Sequence, residues 1–175
     1  MLRCAKADIR RLTEQEPSFF LKLAVVLFNL GLHATLLYRL SRWLQLHHLV
    51  GLGVVVTYFN SIFTGAQISA RATIGKGLVI YHPHGIVIGA SIIGDQCTLT
   101  QGNVIGQLKG RGDRPTIGDH FYAGAGAKIL GRIWIGDHVK VGANSVVIHS
   151  LPDGVTAIGM PAKIVYQRYP LSATN

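Results

Sequence analysis

The sequence predicts a coil of short parallel β-strands, a parallel β-helix, preceded by an apolar helical region, and three observations predict it. From Ile117 onward, aliphatic or small residues fall six apart at Ile117, Ala123, Ile129, Ile135, Val141 and Val147, and Gly occupies the next position four times. The same spacing runs backwards through Ile68, Ile74, Ile80 and Ile86, then slips by one to Val87, Ile93, Leu99 and Ile105. Near the start, Leu23 to Tyr38 and Leu49 to Phe63 carry no formal charge.

A strand points alternate side chains to opposite faces, so a six-residue period with one inward aliphatic and a Gly at the bend suits short strands joined by corners. Three such hexads make one triangular turn, and a solenoid buries its core only by stacking turns. The expected units are an apolar helical region over 1–63, the β-helix over 64–165 and a tail over 166–175. Twelve residues separate Ile105 from Ile117, and 107–115 lacks inward aliphatics but is rich in Gly and charge. It reads as a loop thrown out of the coil, the kind of segment on which rigid scaffolds carry function.

In the first unit, Lys22, Asn29 and His33 form one narrow polar stripe on a helical wheel. A helix apolar around most of its circumference is buried in protein or immersed in lipid. Each uncharged run is shorter than the ~20 residues of a spanning helix. Two readings stand: helices that cap the solenoid and pack against sister subunits, or monotopic attachment to the cytoplasmic face of the membrane with Arg39, Arg42, Trp43, His47 and His48 at the headgroups. Glu14 and Glu16 lie where a signal peptide would have its basic leader.

Composition narrows the partners. The chain has 175 residues, 49% hydrophobic and 14% charged, with a net charge of +9. Its cations are scattered at turns without an interleaved aromatic platform, which argues against nucleic acid. Two cysteines, Cys4 and Cys97, build no disulfide framework, and a reducing cytoplasm is the simplest home. Beyond residue 65 there is no Glu, so a catalytic carboxylate there is one of Asp95, Asp113, Asp119, Asp137 and Asp153.

Several segments then carry a resemblance: Ile80-Tyr-His-Pro-His-Gly-Ile-Val-Ile88, Gln101 to Gly106, Gly112-Asp-Arg114, Gly124-Ala-Gly-Ala-Lys-Ile-Leu-Gly131, Gly142-Ala-Asn-Ser-Val-Val147 and Gly159-Met-Pro-Ala-Lys163. In this order they cover about half the chain, and Ile74 to Val165 resembles the hexapeptide-repeat acyltransferases, within them the serine acetyltransferase family. The resemblance implies a left-handed coil, a homotrimer with sites between subunits and acetyl-CoA as donor; no metal is expected. It places the general base on His82, a residue type that titrates near working pH. It also implies Arg114 as an acceptor-side cation and Gly106, Gln107, Ala125, Lys140, Ala143 and Lys163 around the cofactor, while His84, Tyr81 and Gln101 are candidate contacts for the acceptor.

The departures point elsewhere. The family has an Asp before its catalytic His, a carboxylate in the preceding coil and a His after Gly-Asp-Arg; here stand Tyr81, Gln67 and Pro115. A serine zwitterion wants a carboxylate for its ammonium and cations for its carboxylate. Similar Ile-x-His-Pro-x-Gly-Ile-Val-Ile segments behind a short greasy region occur in serine-acetyltransferase-like enzymes of exopolysaccharide and capsule assembly. The expectation is therefore O-acetylation of a sugar or glycan, lipid-linked if the helices sit at the inner membrane face. Serine acetylation and a non-catalytic scaffold are the alternatives. His120 and His138, one coil apart and each after an Asp, should stack in a column, but a third His for a zinc site is missing. Gly124 to Lys128 is no phosphate loop, because no helix follows it.

Overall fold

In the computed structural model, which describes residues 1–14, 16–108 and 112–167, four helices precede fifteen strands, numbered β1 to β15 in chain order. The strands run from two to six residues, because each supplies one inward side chain before the backbone turns a corner. One sheet stacks β1 (Gln67–Ile68), β4 (Val87–Ile88), β7 (Val104–Gly106), β10 (Lys128–Leu130) and β13 (Val146–Val147). A second stacks β2 (Thr73–Ile74), β5 (Ile92–Ile93), β8 (Thr116–Ile117) and β11 (Trp134–Ile135). The third stacks β3 (Val79–Tyr81), β6 (Thr98–Thr100), β9 (Tyr122–Ala123), β12 (Lys140–Val141), β14 (Val155–Gly159) and β15 (Ala162–Gln167). All pairings are parallel except β14 with β15. The chain is a parallel β-helix of about five turns.

The core is three ladders of inward side chains. Ile68, Ile88, Ile105, Ile129 and Val147 stack on the first sheet. Ile74, Ile93, Ile117, Ile135 and Leu151 stack on the second, and Ile80, Leu99, Ala123, Val141 and Ala157 on the third. None is more than 6% exposed. Val87 corrects the register read from sequence: it is 38% exposed, and its neighbour Ile88 takes the inward place. Two extra residues sit at the corner after Ile80 and one fewer follows Ile88, so together they imitate a single slip.

A fourth ladder, of carboxylates, runs along one corner. Asp95 Oδ1 accepts from the Lys76 N–H at 2.9 Å, Asp119 Oδ1 from Asp95 at 2.7 Å, Asp137 Oδ1 from Asp119 at 2.7 Å and Asp153 Oδ1 from Asp137 at 2.9 Å. Four of the five candidate carboxylates are thus turn supports between coils, satisfying backbone donors that a corner leaves without a sheet partner. Beside them Gln96, His120 and His138 adopt positive φ, and the His120 and His138 rings stack at 4.5 Å and 4°. Of the expected loop, residues 109–111 lie outside the described residues, as does 168–175 of the expected tail.

The helices are α1 (Leu2–Thr13), α2 (Phe19–Phe28), α3 (Leu30–Leu46) and α4 (Val50–Thr64). The stripe of Lys22, Asn29 and His33 does not lie on one helix. Asn29 is the N-cap of α3, its Oδ1 accepting from the Leu32 N–H at 2.8 Å, and α2 and α3 meet there at 63°. An Asn side chain competes for exactly the free donors a helix start exposes, so it ends one helix and begins the next. Nor are Arg39 and Arg42 available to headgroups. Arg39 is 6% exposed, pairs with the fully buried Asp8 at 3.0 Å and donates to the carbonyls of Ile74 and Gly75. Arg42 donates to the Ala70 carbonyl at 3.1 Å and to Thr73 Oγ1 at 3.2 Å. Both fasten α3 to the first coil.

Cys97 faces the coil interior, and burial pushes its thiol up to about 11. A raised pKa favours the folded state fully below the ordinary thiol value, and the contribution fades as pH rises through the folded one. Since the thiolate is the nucleophile, alkylation at neutral pH should label Cys4 and spare Cys97 until denaturant is added. Peptide mass spectrometry checks this, and equal labelling of both in the native protein would contradict the placement of Cys97.

Candidate active site

The two extra residues at the corner after β3 build the site. Tyr81 pairs with Thr100, whereas the Gly102 N–H donates to the His84 carbonyl at 3.0 Å. His82, Pro83 and His84 therefore span what Gln101 spans alone in the next coil, and the backbone bulges outward there. His82 is exposed at the bulge with φ of 53°, a conformation that costs a non-glycine residue energy and clusters at functional positions. The other positive-φ residues of the coil, Gln96, His120, His138 and Asn144, occupy ordinary stacked corners; His82 does not.

A cavity of about 270 Å³ opens at this bulge, lined by Ile80 to His84 on one side and by Phe28, Asn29, Leu30 and Gly31 on the other. Its second wall is the α2–α3 junction. Gly31 makes the close approach possible, because a Cβ there would run into the Ile80 carbonyl oxygen. Asn29 and Gly31 were missed in the sequence, although an Asn between two apolar runs is a helix-start signal. His84 turns away toward the end of α4: a Cβ on Gly65 would lie 3.0 Å from its Cδ2.

Stacking brings some predicted residues into one column and separates others. Gly126 N–H donates to the Gln101 carbonyl and Asn144 N–H to the Ala125 carbonyl, each at 2.8 Å, so Gln101, Ala125 and Ala143 succeed one another above the His82 bulge. Successive coils are ~4.8 Å apart, which puts Ala143 roughly 14 Å from the bulge. Lys163, opposite Ile158 in the β14–β15 pair, lies at the far end of the same edge, where Ile158 overlies Gly142. The alanines keep this edge shallow, and an extended chain can lie along it. Tyr81 stands outward on β3, 49% exposed and lining the His82 cavity.

Gly106, Gln107 and Arg114 belong to a different corner, between the first and second sheets. Arg114 lines a cavity of about 780 Å³ with Gly112, Arg132 and Trp134. Lys140 is on neither edge: it begins β12 and lines a cavity of about 250 Å³ with His120, His138 and Tyr166. Within one subunit the coil thus keeps Arg114 away from His82. Among the described residues no group of three or more His, Cys, Asp or Glu is placed to hold a metal ion.

Comparison with known proteins fits this geometry. Residues 114–149 match the bacterial transferase hexapeptide family of six repeats. Over 161 residues the chain is 40% identical to the serine acetyltransferase of Helicobacter pylori, a match that spans 90% of this chain and 94% of that protein. It is 35% identical over 170 residues to that of Synechococcus elongatus, spanning 95% and 70%. A crystal structure of Neisseria gonorrhoeae serine acetyltransferase in complex with serine superposes with a TM-score of 0.87 at 34% identity, covering 94% of this chain and 69% of that one.

These matches overturn the expectation of a sugar or glycan acceptor in polysaccharide synthesis, and the scaffold reading falls with it. The two missing carboxylates removed two local partners for an ammonium group; they did not identify another acceptor. A likeness that runs through the helices as well as the coil outweighs them. With a left-handed β-helix, a bulged His82 corner and near full-length identity of 35–40%, the chain belongs to the serine acetyltransferase family of hexapeptide-repeat transferases and is an acyltransferase.

Proposed function

We propose that the protein transfers the acetyl group of acetyl-CoA to the hydroxyl of L-serine, with His82 as general base. The observation that carries this reading is the 40% identity to a serine acetyltransferase across 94% of that protein's length. In the reaction an imidazole nitrogen of His82 takes the hydroxyl proton as the serine oxygen attacks the thioester carbonyl carbon. The tetrahedral adduct then expels the sulfur, which takes the proton back, leaving O-acetylserine and CoA. Imidazole suits both transfers because it gains and loses a proton near neutrality. The pantetheine arm would lie along the shallow edge past Gln101, Ala125 and Ala143, with Lys163 toward its phosphates.

The acceptor's carboxylate needs a cation, and Arg114 of the same subunit stands at another corner. A homotrimer resolves this if Arg114 of a neighbouring copy reaches the His82 bulge, which also encloses a cavity that one chain leaves small for a ligand pocket. The test is release of CoA thiol with L-serine, with the ester identified by mass spectrometry. Turnover well above acetyl-CoA hydrolysis is expected. Release that L-serine does not stimulate would sink the proposal.

A further inference from the structure

Helix α4 is inside out. Its buried residues are Gly53, Asn60 and Thr64, while Val54, Val55, Tyr58 and Ile62 are each more than 60% exposed. The buried edge is built as helix contacts in lipid are built, from a small residue and polar bridges. A Cβ on Gly53 would lie 3.1 Å from the Ser41 carbonyl oxygen, Asn60 Nδ2 donates to the Ala34 carbonyl at 3.0 Å, and Thr64 Oγ1 donates to the Asn60 carbonyl at 2.8 Å. Water drives apolar side chains inward and leaves polar ones out; α4 does the reverse, so water is not what its outer face meets.

Helix α2 continues that face. None of its ten residues is buried, and Phe19, Phe20 and Phe28 are each more than 70% exposed. The two helices connect through His33, whose Nε2 lies 3.0 Å from the Val26 carbonyl and whose ring stacks on Phe63, itself stacked on Phe59. At 15 residues α4 is ~22 Å long, short of the ~30 Å hydrocarbon core, and among the described residues no single helix is long and apolar enough to cross a membrane. These helices suit the plane of an interface.

Charge selects the occupant. From Pro17 to Gly94 the sequence holds no Asp or Glu. Exposed Lys22 sits within α2, exposed Arg71 lines a groove with Val54 and Tyr58, and exposed His47 and His48 follow α3, where Trp43 packs on His47 with ring centroids 4.3 Å apart and tilted by 34°. Against a second copy of the same face, Lys22 would meet no carboxylate and its desolvation would go uncompensated. An anionic headgroup layer supplies that charge, while its acyl boundary takes the Phe, Val and Ile side chains and Trp43 sits at the level between.

We propose that the α2–α4 face docks on the surface of an anionic lipid bilayer, bringing the His82 cavity, walled by Phe28, to the membrane. This is independent of which alcohol is acetylated. The test is flotation of the full chain with phosphatidylcholine vesicles and with vesicles that also contain phosphatidylglycerol, using Trp134→Phe protein so that Trp43 reports by fluorescence. Expected are flotation with the anionic vesicles, a blue shift of Trp43, weakening at high salt, and a partition lowered by roughly tenfold or more in Val55→Glu/Ile62→Glu protein that still turns over acetyl-CoA. Protein that sediments free of both vesicle types would overturn the proposal. So would a double variant that floats normally but falls to a smaller species by light scattering, because the face would then be covered by another copy.

Discussion

His82→Ala should lower acetyl transfer by about 10²-fold or more while CoA binding stays close to wild type, the loss expected when a general base is removed and the remaining site still binds. The bulge displays the imidazole at the mouth of a cavity, and among the described residues no protein hydrogen bond ties its ring down. His84→Ala should do less, since that side chain leans toward Gly65 at the end of α4. A dead His84→Ala beside a nearly active His82→Ala would reverse the assignment. The separation of His82 from Arg114 adds a sharper form of the experiment. Arg114→Ala should also be impaired, yet coexpression of His82→Ala with Arg114→Ala chains should restore activity, because mixed trimers would contain sites with both native residues. Inactive mixtures of confirmed heterotrimers would show that the two residues do not meet across a subunit boundary.

Much of the coil was legible because its period is set by elementary geometry: one inward side chain per two- or three-residue strand, repeated every six residues. Ile117, Ile129 and Ile135 had only that one place to go, and all are buried. The slip at Ile86–Val87 was legible as a break but not as a bulge. Two residues gained at one corner and one lost at the next leave the same trace in sequence as a shift of one. The edge from His82 through Gln101, Ala125 and Ala143 was legible only by resemblance, since residues in a column are separated in sequence by whole turns whose lengths vary. The Asp ladder shows the same limit. Asp95, Asp119, Asp137 and Asp153 look like candidate acids until the backbone N–H of the preceding coil is seen to occupy each one.

The acceptor was misread for a physical reason. Tyr81 and Gln67 replace two carboxylates, but a binding site is assembled from several elements. Asn29 and Gly31, fifty residues upstream, already form half of the cavity wall. The two arginines beside the helical run were misplaced in a similar way. An uncharged run indicates that something covers it, whereas Arg39 and Arg42 beside it were read as headgroup contacts because neither the buried Asp8 that pairs with Arg39, on a helix that apolarity does not reveal, nor the coil oxygens that accept from both shows in the sequence.

Asp8→Ala should destabilise the fold by about 3–5 kcal/mol, the range seen when one partner of a buried ion pair is removed and the other remains charged. Asp8 is fully buried and accepts from Arg39 Nε at 3.0 Å, from Arg39 Nη2 at 3.3 Å and from the Leu78 N–H at 2.9 Å. Removing it leaves a buried guanidinium with backbone carbonyls but no counter-ion and leaves a backbone donor of the segment entering β3 unpaired. Asp8→Asn should cost less, because an amide oxygen can still accept from Leu78 even though the charge is gone. Replacing both partners, as Asp8→Leu with Arg39→Met, should recover part of the loss by removing the orphaned cation together with its partner. The exposed Arg10–Glu14 pair, at 3.8 Å, is the internal control, and Arg10→Ala should be nearly silent. Denaturant unfolding followed by circular dichroism ranks the four. If Asp8→Ala and Arg10→Ala proved equivalent, α1 would not be clamped to the coil through Asp8. The clamp also bears on catalysis, since Arg39 holds α3 to the Ile74 and Gly75 carbonyls while the first turn of α3 walls the His82 cavity. Asp8→Asn protein that remains folded should therefore show a raised KM at little cost in kcat, as expected when the chemistry is intact and the wall beside it is displaced.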